Sequence, residues 1–161
     1  MSMSLLTSTL WQGLLWGILA LGVFYVLVIG CYVLFELVVI NYRPVMMPGG
    51  EGVEASFPSS HTMLICSVMG STAMVLKRYI KRDALRMGLQ AGCVIVAAVT
   101  VAGRLLSGVH WLTDILGGVL LSCVLLALFS LLRDFFAAVL TPHDWTPMEE
   151  EWSEDEETGS L

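Results

Sequence analysis

The chain has 161 residues, of which 57% are hydrophobic and only 14% are charged, and its mean hydropathy is +0.80. A soluble domain of this size could not bury so much apolar surface, so the composition excludes an ordinary soluble protein. The net charge of −6 is unevenly distributed along the chain. Half of the acidic residues lie in 149–157 and five of the eight basic residues lie in 77–86, so the acidic and the basic segment have separate meanings.

Four apolar runs predict an all-α membrane bundle of four transmembrane helices. The runs extend over approximately Leu10–Ile40, His61–Leu76, Met87–Gly103 and Ile115–Leu132, the last with a continuation towards Leu140. A helix needs roughly 20 residues to cross a bilayer, and the second and third runs are shorter than this. Lys and Arg residues at their ends can reach the head-group region with their charged tips, which lengthens the part of each helix that can lie in the membrane. An open β-sheet is excluded because lipid cannot form hydrogen bonds with the unpaired backbone N–H and C=O groups at its edges.

The two ends of the chain differ in character. No Lys or Arg precedes Arg43, so we expect the first run to be a retained span rather than a cleaved signal peptide. We expect one transmembrane domain over residues 1–140 and an acidic tail over 141–161. The tail carries EEEWSEDEE at 149–157, which is too charged and too poor in apolar residues to fold alone. A disordered, solvated end is the favoured interpretation, and docking of a partner is the alternative.

A short basic turn between the second and third runs predicts the orientation. This turn reads KRYIKRDALR at 77–86, and short loops rich in Lys and Arg stay in the cytoplasm. Both termini and the acidic tail are then cytoplasmic. The loops at 41–60 and 104–114 face the outside of the membrane.

This topology brings three polar groups to the same outer face. They are Arg43-Pro44 after the first run, Pro58-Ser59-Ser60-His61 before the second, and Arg104, His110 and Asp114 between the third and fourth. Polar residues at membrane depth are costly and are usually retained for function. Taken singly, each also has a structural explanation, as a helix N-cap, an interfacial histidine, a snorkelling arginine or an i, i+4 pair.

Taken together, these groups fit phosphoryl transfer. Two arginines can clamp a phosphate with planar, bidentate donors, and the start of the second helix adds free N–H groups and a positive dipole end. Asp114 follows His110 by four residues and can hold its imidazole in one tautomer, as in catalytic triads. His61 can protonate a leaving oxygen near neutral pH.

A metal site is the main competing interpretation. His61, His110 and Asp114 could bind zinc, but two arginines would repel a cation and the ligand set is thin. The four cysteines lie singly in apolar runs, which is typical of helix packing. We therefore expect no metal and no cofactor.

These motifs resemble the type 2 phosphatidic acid phosphatase (PAP2) superfamily, which includes bacterial undecaprenyl-diphosphate and phosphatidylglycerophosphate phosphatases. The family pattern is Lys, six residues and Arg-Pro; then Pro-Ser-Gly-His; then Ser-Arg, five residues, His, three residues and Asp. The spacing of Arg104, His110 and Asp114 matches in full, and the second motif has serine in place of glycine. The resemblance extends over residues 36–118. It implies a PAP2/chloroperoxidase-like core reduced to the last four of the usual six helices.

The resemblance also implies a role for each motif residue. His110 would attack phosphorus and form a phosphohistidine, Asp114 would orient it, and His61 would protonate the leaving group. The phosphate oxygens would be held by the remaining polar groups of the motifs, namely Arg43, Arg104 and the backbone near Ser59 and Ser60. The family needs no metal.

Two positions depart from the family pattern. Gly103 replaces the serine before the arginine, which removes one hydrogen bond, and Glu36 stands where the lysine is expected. A carboxylate near a phosphate is repulsive at low dielectric. Three interpretations follow: Glu36 pairs with Arg43 or Arg104, which is favoured; it is protonated through burial; or the site is weakened or repurposed.

The leading hypothesis is a metal-independent lipid phosphatase with its site at the extracytoplasmic face of a bacterial-type cytoplasmic membrane. Candidate substrates are undecaprenyl diphosphate, phosphatidylglycerophosphate and phosphatidic acid. The alternatives are a catalytically weakened phospholipid-binding or scaffolding protein, supported by Glu36, and phosphotransfer to an acceptor other than water. We expect membrane lipids but no nucleic acid as partners. Small residues at four-residue spacing predict close helix packing and are compatible with a homo-oligomer: Gly13 with Gly17, Ser67 with Ser71, and Gly88 with Gly92.

Overall fold

The computed structural model describes residues 3–45 and 54–140, with side chains described for 15–45 and 54–139. These residues form four α-helices and no extended strand. The helices are α1 (Met3–Leu37), α2 (Ser60–Tyr79), α3 (Asp83–Leu106) and α4 (Leu112–Leu140). The all-α class predicted from the apolar runs is therefore confirmed. The predicted acidic tail lies outside the described residues.

The helix ends differ from the ends of the apolar runs. Helices α2 and α3 extend past their apolar runs at both ends, where polar and basic residues continue the helix. Helix α4 begins three residues before its run and ends at Leu140, as the expected continuation of the run predicts. Helix α1 instead ends at Leu37, although Val38, Val39 and Ile40 are apolar. These three residues are β-branched, and β-branched side chains lower helix propensity.

Three helices are long and apolar enough to cross a membrane. The candidate spans are Leu15–Leu37, Asp83–Leu106 and Leu112–Val139. Helix α2 is more polar than these spans, and it buries Thr62, Ser67 and Ser71 inside the protein. It packs on both α3 and α4, while α1 packs mainly on α4. The polar residues of α2 are thus shielded by protein, which explains how this helix belongs to the bundle despite its lower hydropathy.

The hydrophobic core lies between α1, α2 and α4. It contains Phe24 and Val28 from α1, Met63 from α2, and Leu125 and Phe129 from α4. The rings of Phe24 and Phe129 have centroids 4.9 Å apart, within the range in which aromatic pairs attract each other. This core stabilises the contact of α1 with α4 and leaves one end of the bundle free for polar groups.

Two adjacent glycines let α4 approach the start of α2. A Cβ atom on Gly118 would lie 2.9 Å from the Ser59 carbonyl oxygen and 3.1 Å from Thr62 Cβ, and one on Gly117 would overlap the Phe57 ring. The N–H of Ser59 donates to the carbonyl oxygen of Asp114 at 2.9 Å. The first turns of α2 and α4 are therefore held together at the polar end of the bundle.

The predicted small-residue pairs have different environments. Ser67 and Ser71 are fully buried, as close helix packing requires. Gly88 and Gly92 meet no atom of the described chain within 4 Å of an added Cβ. The close packing expected from spacing is confirmed for the serine pair, while the glycine pair on α3 faces away from the other described helices.

Candidate active site

A short backbone pairing brings together the two ends of the loop between α1 and α2. Tyr42 and Ala55 form an isolated antiparallel bridge. The Arg43 N–H donates to the Glu54 carbonyl oxygen at 3.2 Å, and the Ser56 N–H donates to the Asn41 carbonyl oxygen at 2.8 Å. As a result, Arg43 and the segment leading into α2 lie side by side at one end of the bundle.

The connection between α3 and α4 lies against the same pairing. The indole Nε1–H of Trp111 donates to the Tyr42 carbonyl oxygen at 3.0 Å. Gly108 has a φ of 66°, a left-handed conformation that glycine adopts without steric cost. This turn carries the chain from Arg104, in the last turn of α3, to His110, just before α4.

His110 is buried, with 6% of its surface exposed, and both ring nitrogens have partners. Nε2 lies 3.2 Å from Arg104 Nη2, and Nδ1 lies 3.2 Å from the Ser56 carbonyl oxygen. Because a guanidinium only donates and a carbonyl only accepts, Nε2 accepts and Nδ1 carries the proton. This tautomer leaves the lone pair on Nε2, the nitrogen that faces Arg104.

Asp114 contacts His110 less directly than the sequence predicts. Its Oδ2 lies 3.8 Å from His110 Nδ1, which is beyond hydrogen-bond range. That oxygen instead accepts from the Ser56 hydroxyl and from the Trp111 N–H at 2.9 Å. The Nδ1–H of His110 therefore donates to the main-chain carbonyl of Ser56, and Asp114 is linked to the imidazole through Ser56.

Ser56 is the site residue that sequence reasoning missed. It is buried, and its hydroxyl oxygen lies 3.3 Å from His110 Nδ1 as well as bonding Asp114. It lies outside the three motifs, two residues before Pro58. A lone serine in a loop gives no signal of its own, and only the pairing with Asn41 brings it to His110.

Arg104 joins the two histidines. Its Nη2 lies 3.0 Å from His61 Nδ1 as well as 3.2 Å from His110 Nε2. Both imidazoles must accept from this one donor group, so both carry a lone pair on the nitrogen that faces Arg104. The expected convergence of Arg104, His61 and His110 is thus present in the structure.

Arg43 has a different carboxylate partner from the one favoured by the sequence. Its Nε lies 3.2 Å from Glu54 Oε2, and its side chain is only 17% exposed. Among the described residues, no ion pair joins Glu36 to Arg43 or Arg104. Glu36 is exposed, so the expectation that it pairs with an arginine is wrong. Arg43 instead pairs with Glu54, which lies outside the three motifs.

Some buried donors of the two arginines are unused. Arg43 Nη1 and Arg104 Nε are buried and have no hydrogen-bond partner among the described residues. Buried polar groups are almost always paired with protein, water or ligand. These two donors are therefore available to an anion at the site.

The two serines of the second motif have different positions. Ser59 is fully buried, its N–H is already bonded to Asp114, and its hydroxyl accepts from Thr62 at 3.1 Å. Ser60 instead borders a pocket of about 370 Å³, open space included, which is also lined by Glu36, Arg43, Ser56, Met63 and His110. Of these two serines, only Ser60 lines this pocket.

The surroundings of His110 lower the pKa of its imidazole. The main cause is burial, followed by the positive charges of Arg104 and Arg43; the Ser56 hydrogen bond and Asp114 act in the opposite direction but do not cancel it. A lowered pKa keeps the ring neutral at neutral pH. Within residues 3–45 and 54–140, no three His, Cys, Asp or Glu side chains converge as a metal site requires.

Comparison with known proteins identifies one family. The family model of the PAP2 superfamily matches residues 17–137, which include all three motifs. No curated protein matches the chain, and no solved structure does.

Proposed function

The chain belongs to the PAP2 superfamily, and we propose that it is a metal-independent lipid phosphatase acting through a phosphohistidine at His110. The observation that carries this proposal is the arrangement of Arg104, whose Nη2 contacts both histidines while its Nε has no described partner. One cation thus lies beside a neutral nucleophile and a second imidazole. Phosphoryl transfer depends largely on such positioning and charge neutralisation.

The proposed reaction has two steps that use the same residues. His110 Nε2 attacks phosphorus while Arg43 and Arg104 hold the phosphate oxygens, and the P–O bond to the lipid breaks. The negative charge of the bound phosphate favours the imidazolium form of His61, which then no longer accepts from Arg104 and gives its proton to the leaving oxygen. Water then attacks the phosphohistidine and gives its proton to His61, the P–N bond breaks, and phosphate leaves. Ser56 and Asp114 keep the Nδ1 proton of His110 in place throughout.

The membrane location supports a lipid substrate. The three candidate spans make this a membrane protein, and the motif residues lie at one end of the bundle where a head group would meet them. We place this end outside a bacterial-type cytoplasmic membrane, because the basic turn at 77–86 favours a cytoplasmic location for the opposite end. Undecaprenyl diphosphate, phosphatidylglycerophosphate and phosphatidic acid are the proposed substrate candidates.

The test is phosphate release by the purified protein in detergent with EDTA. We expect release from at least one of the three candidate lipids, and we expect His110→Ala to abolish it because no other described imidazole replaces the Nε2 nucleophile. His143→Ala changes the histidine of the tail region and serves as the matched control with unchanged release. Full activity of His110→Ala would rule out the proposed nucleophile.

A weakened, lipid-binding protein is the second candidate, and the position of Glu36 supports it. Glu36 lines the pocket that also contains Arg43 and His110, and a carboxylate this near the site repels a phosphate. We expect Glu36→Lys to raise kcat/KM for the lipid, with Asp134→Asn as a control at a carboxylate near the other end of α4. A loss of activity in Glu36→Lys would give Glu36 a role of its own, and lipid binding without release at any pH would establish the second candidate.

A further inference from the structure

The pocket beside His110 has lining residues of two kinds. One kind consists of groups proposed to act on a phosphate, among them Arg43 and His110. The other kind comes from the last turns of α1 and includes Glu36. Glu36 takes no part in the reaction proposed above, although it borders the same space. A carboxylate in this position therefore has a different ligand from the phosphate.

Glu36 has no cationic partner in the part of the chain that the structure describes. No ion pair joins it to a Lys, Arg or His side chain there, and the residue is exposed. Arg43, which lines the same pocket, is paired instead with Glu54, at 3.2 Å. The carboxylate of Glu36 is thus available to a cation on a ligand, with which it can form a charge-assisted hydrogen bond.

The end of α1 adds negative charge at the same place. Glu36 lies in the last turn of α1, which ends at Leu37 and contains no basic residue. The C-terminus of a helix carries a partial negative charge, so a carboxylate there is unfavourable and a bound cation is favourable. Glu36 does not stabilise its own helix, and the helix end strengthens its attraction for a cation.

Three aromatic rings surround this carboxylate in the pocket lining. They belong to Tyr32 and Phe35 of α1 and to Phe57 of the following loop. The rings of Phe35 and Phe57 have centroids 6.2 Å apart and lie edge to face, and Phe57 packs against α4, where a Cβ atom on Gly117 would overlap its ring. The faces of aromatic rings attract cations, and sites lined by such rings recognise ammonium groups.

The charge balance of the site also favours a ligand that carries a positive group. Arg43 and Arg104 bring two positive charges. Glu54, which pairs with Arg43, and Glu36 bring two negative charges, and the buried Asp114 adds a third. With both imidazoles neutral, a phosphate alone enters a site without net positive charge. A ligand with an ammonium beside its phosphate offsets the charge of Glu36 and leaves the arginines to the phosphate.

We propose that Glu36, together with the rings of Tyr32, Phe35 and Phe57, binds an ammonium group that the substrate carries next to its phosphate. This inference rests on the proposed phosphatase activity and deepens it by naming a substrate class, the zwitterionic lipid phosphates with an amine beside the ester carbon. Their phosphate lies at the arginines and His110, and their ammonium donates to Glu36. The carboxylate that repels a purely anionic head group thereby selects a zwitterionic one.

The first test compares two phosphate monoesters that differ only in the group beside the ester carbon. 2-Aminohexadecyl phosphate carries an ammonium there, and 2-hydroxyhexadecyl phosphate carries a neutral hydroxyl. Glu36→Gln keeps the shape of the exposed side chain and removes its charge. We expect it to lower kcat/KM for the amine at least tenfold, as loss of a charged hydrogen bond does, without lowering kcat/KM for the hydroxyl lipid. Phosphate release is measured in detergent with EDTA, so that no divalent cation bridges Glu36 to the phosphate.

Asp83→Asn is the matched control for this substitution. The Asp83 carboxylate pairs with Arg86 in the basic turn, at the opposite end of the bundle, so its removal should keep the wild-type ratio of the two kcat/KM values. Glu36→Lys should lower kcat/KM for the amine further and raise it for the hydroxyl lipid. Equal changes on both lipids in Glu36→Gln, or none on either, would overturn the proposal.

The second test does not depend on turnover. In the phosphonate analogues of the two lipids a CH₂ group replaces the ester oxygen, so they bind without being hydrolysed. Isothermal titration calorimetry in detergent should give a Kd for the amino phosphonate at least tenfold higher in Glu36→Gln than in the wild type. The same Kd in both proteins would contradict the ammonium site. Preferential binding of the amine without hydrolysis of any lipid would refute the phosphatase activity alone, and hydrolysis without preference for the amine would refute the ammonium site alone.

Discussion

At the residue scale, Ser56 connects the two side chains that the proposed mechanism needs to act together. Its hydroxyl donates to Asp114 and its carbonyl accepts from His110. Ser56→Ala deletes a hydrogen bond to a buried carboxylate, an effect of about 1.5–3 kcal/mol. We expect kcat to fall about 10- to 100-fold. Steady-state kinetics on the preferred lipid measures this fall.

A matched control separates this effect from a general loss of packing. Ser67 is also fully buried, lies about two turns after the start of α2, and has a hydroxyl without a hydrogen-bond partner among the described residues. Ser67→Ala should keep the kcat of the wild type. If both alanine variants lose the same activity, or if Ser56→Ala loses none, then Ser56 does not position the catalytic pair.

The charges around His110 predict a specific pH dependence. In the proposed mechanism the neutral imidazole is the nucleophile, and burial together with Arg104 and Arg43 lowers its pKa below the ordinary 6.5. The acid limb of kcat/KM should therefore lie below pH 6.5. Arg43→Gln removes a positive charge that lowers this pKa, so the limb should move to higher pH. The carboxylate of Asp114, which faces His110, raises this pKa in the wild type and in Arg43→Gln alike, so it does not account for the difference between them.

The profile is measured on kcat/KM because this quantity reports the free enzyme. Arg86→Gln is the control, since Arg86 pairs with Asp83 in the basic turn and should leave the limb in place. A limb at or above 6.5 in the wild type, or one that Arg43→Gln moves to lower pH, would contradict the proposed electrostatics.

The motif spacing predicted part of the site at this scale. Arg104, His110 and His61 do converge, because their positions at helix ends follow from the apolar runs and the topology. Ser56 and Glu54 could not be predicted, because their contacts depend on the backbone bridge between Tyr42 and Ala55. Such contacts leave no periodicity in the sequence.

At the element scale, the contact of α4 with the start of α2 depends on Gly118. A Cβ there would lie 2.9 Å from a backbone oxygen, which a side-chain rotation cannot relieve. We expect Gly118→Ala to destabilise the protein by about 1–3 kcal/mol, as overpacking does, and to lower activity because Ser59 and His61 shift relative to His110. The midpoint of thermal unfolding in detergent measures the first effect.

Gly92 provides the comparison for this variant. A Cβ there meets no described atom within 4 Å, and alanine favours a helix by up to about 1 kcal/mol over glycine. Gly92→Ala should therefore unfold at the same or a higher temperature than the wild type. Unchanged stability in Gly118→Ala would show that the two helices are not pressed together at this point.

Hydropathy predicted where the helices lie but not how they face one another. Hydropathy predicted a short apolar run for α2. The fold explains the lower hydropathy of this helix, because Thr62, Ser67 and Ser71 are buried against the rest of the protein. Hydropathy also included residues 38–40 in the first run, although α1 ends at Leu37. An apolar residue need not be helical, so hydropathy alone does not predict where a helix ends. Packing partners require the tertiary structure.

At the scale of the whole molecule, the proposed orientation can be tested in intact cells. Ser107 is exposed beside the site, and Leu85 is 53% exposed in the first turn of α3. A membrane-impermeant maleimide should label Ser107→Cys and spare Leu85→Cys, because the basic turn is expected in the cytoplasm. Both should react after the cells are permeabilised. The reverse pattern would place the site inside.

The enclosed position of α2 also has a consequence for how the chain is made. A helix that buries Thr62, Ser67 and Ser71 against the rest of the protein, and whose last turn carries Lys77 and Arg78, gains little from entering lipid alone. Helices α3 and α4, which flank it, are synthesised after it. We expect α2 to settle in the bilayer only once these neighbours arrive, so that biogenesis of the bundle is cooperative. In a chain truncated after α2, α1 should still anchor the chain, while α2 should not insert stably.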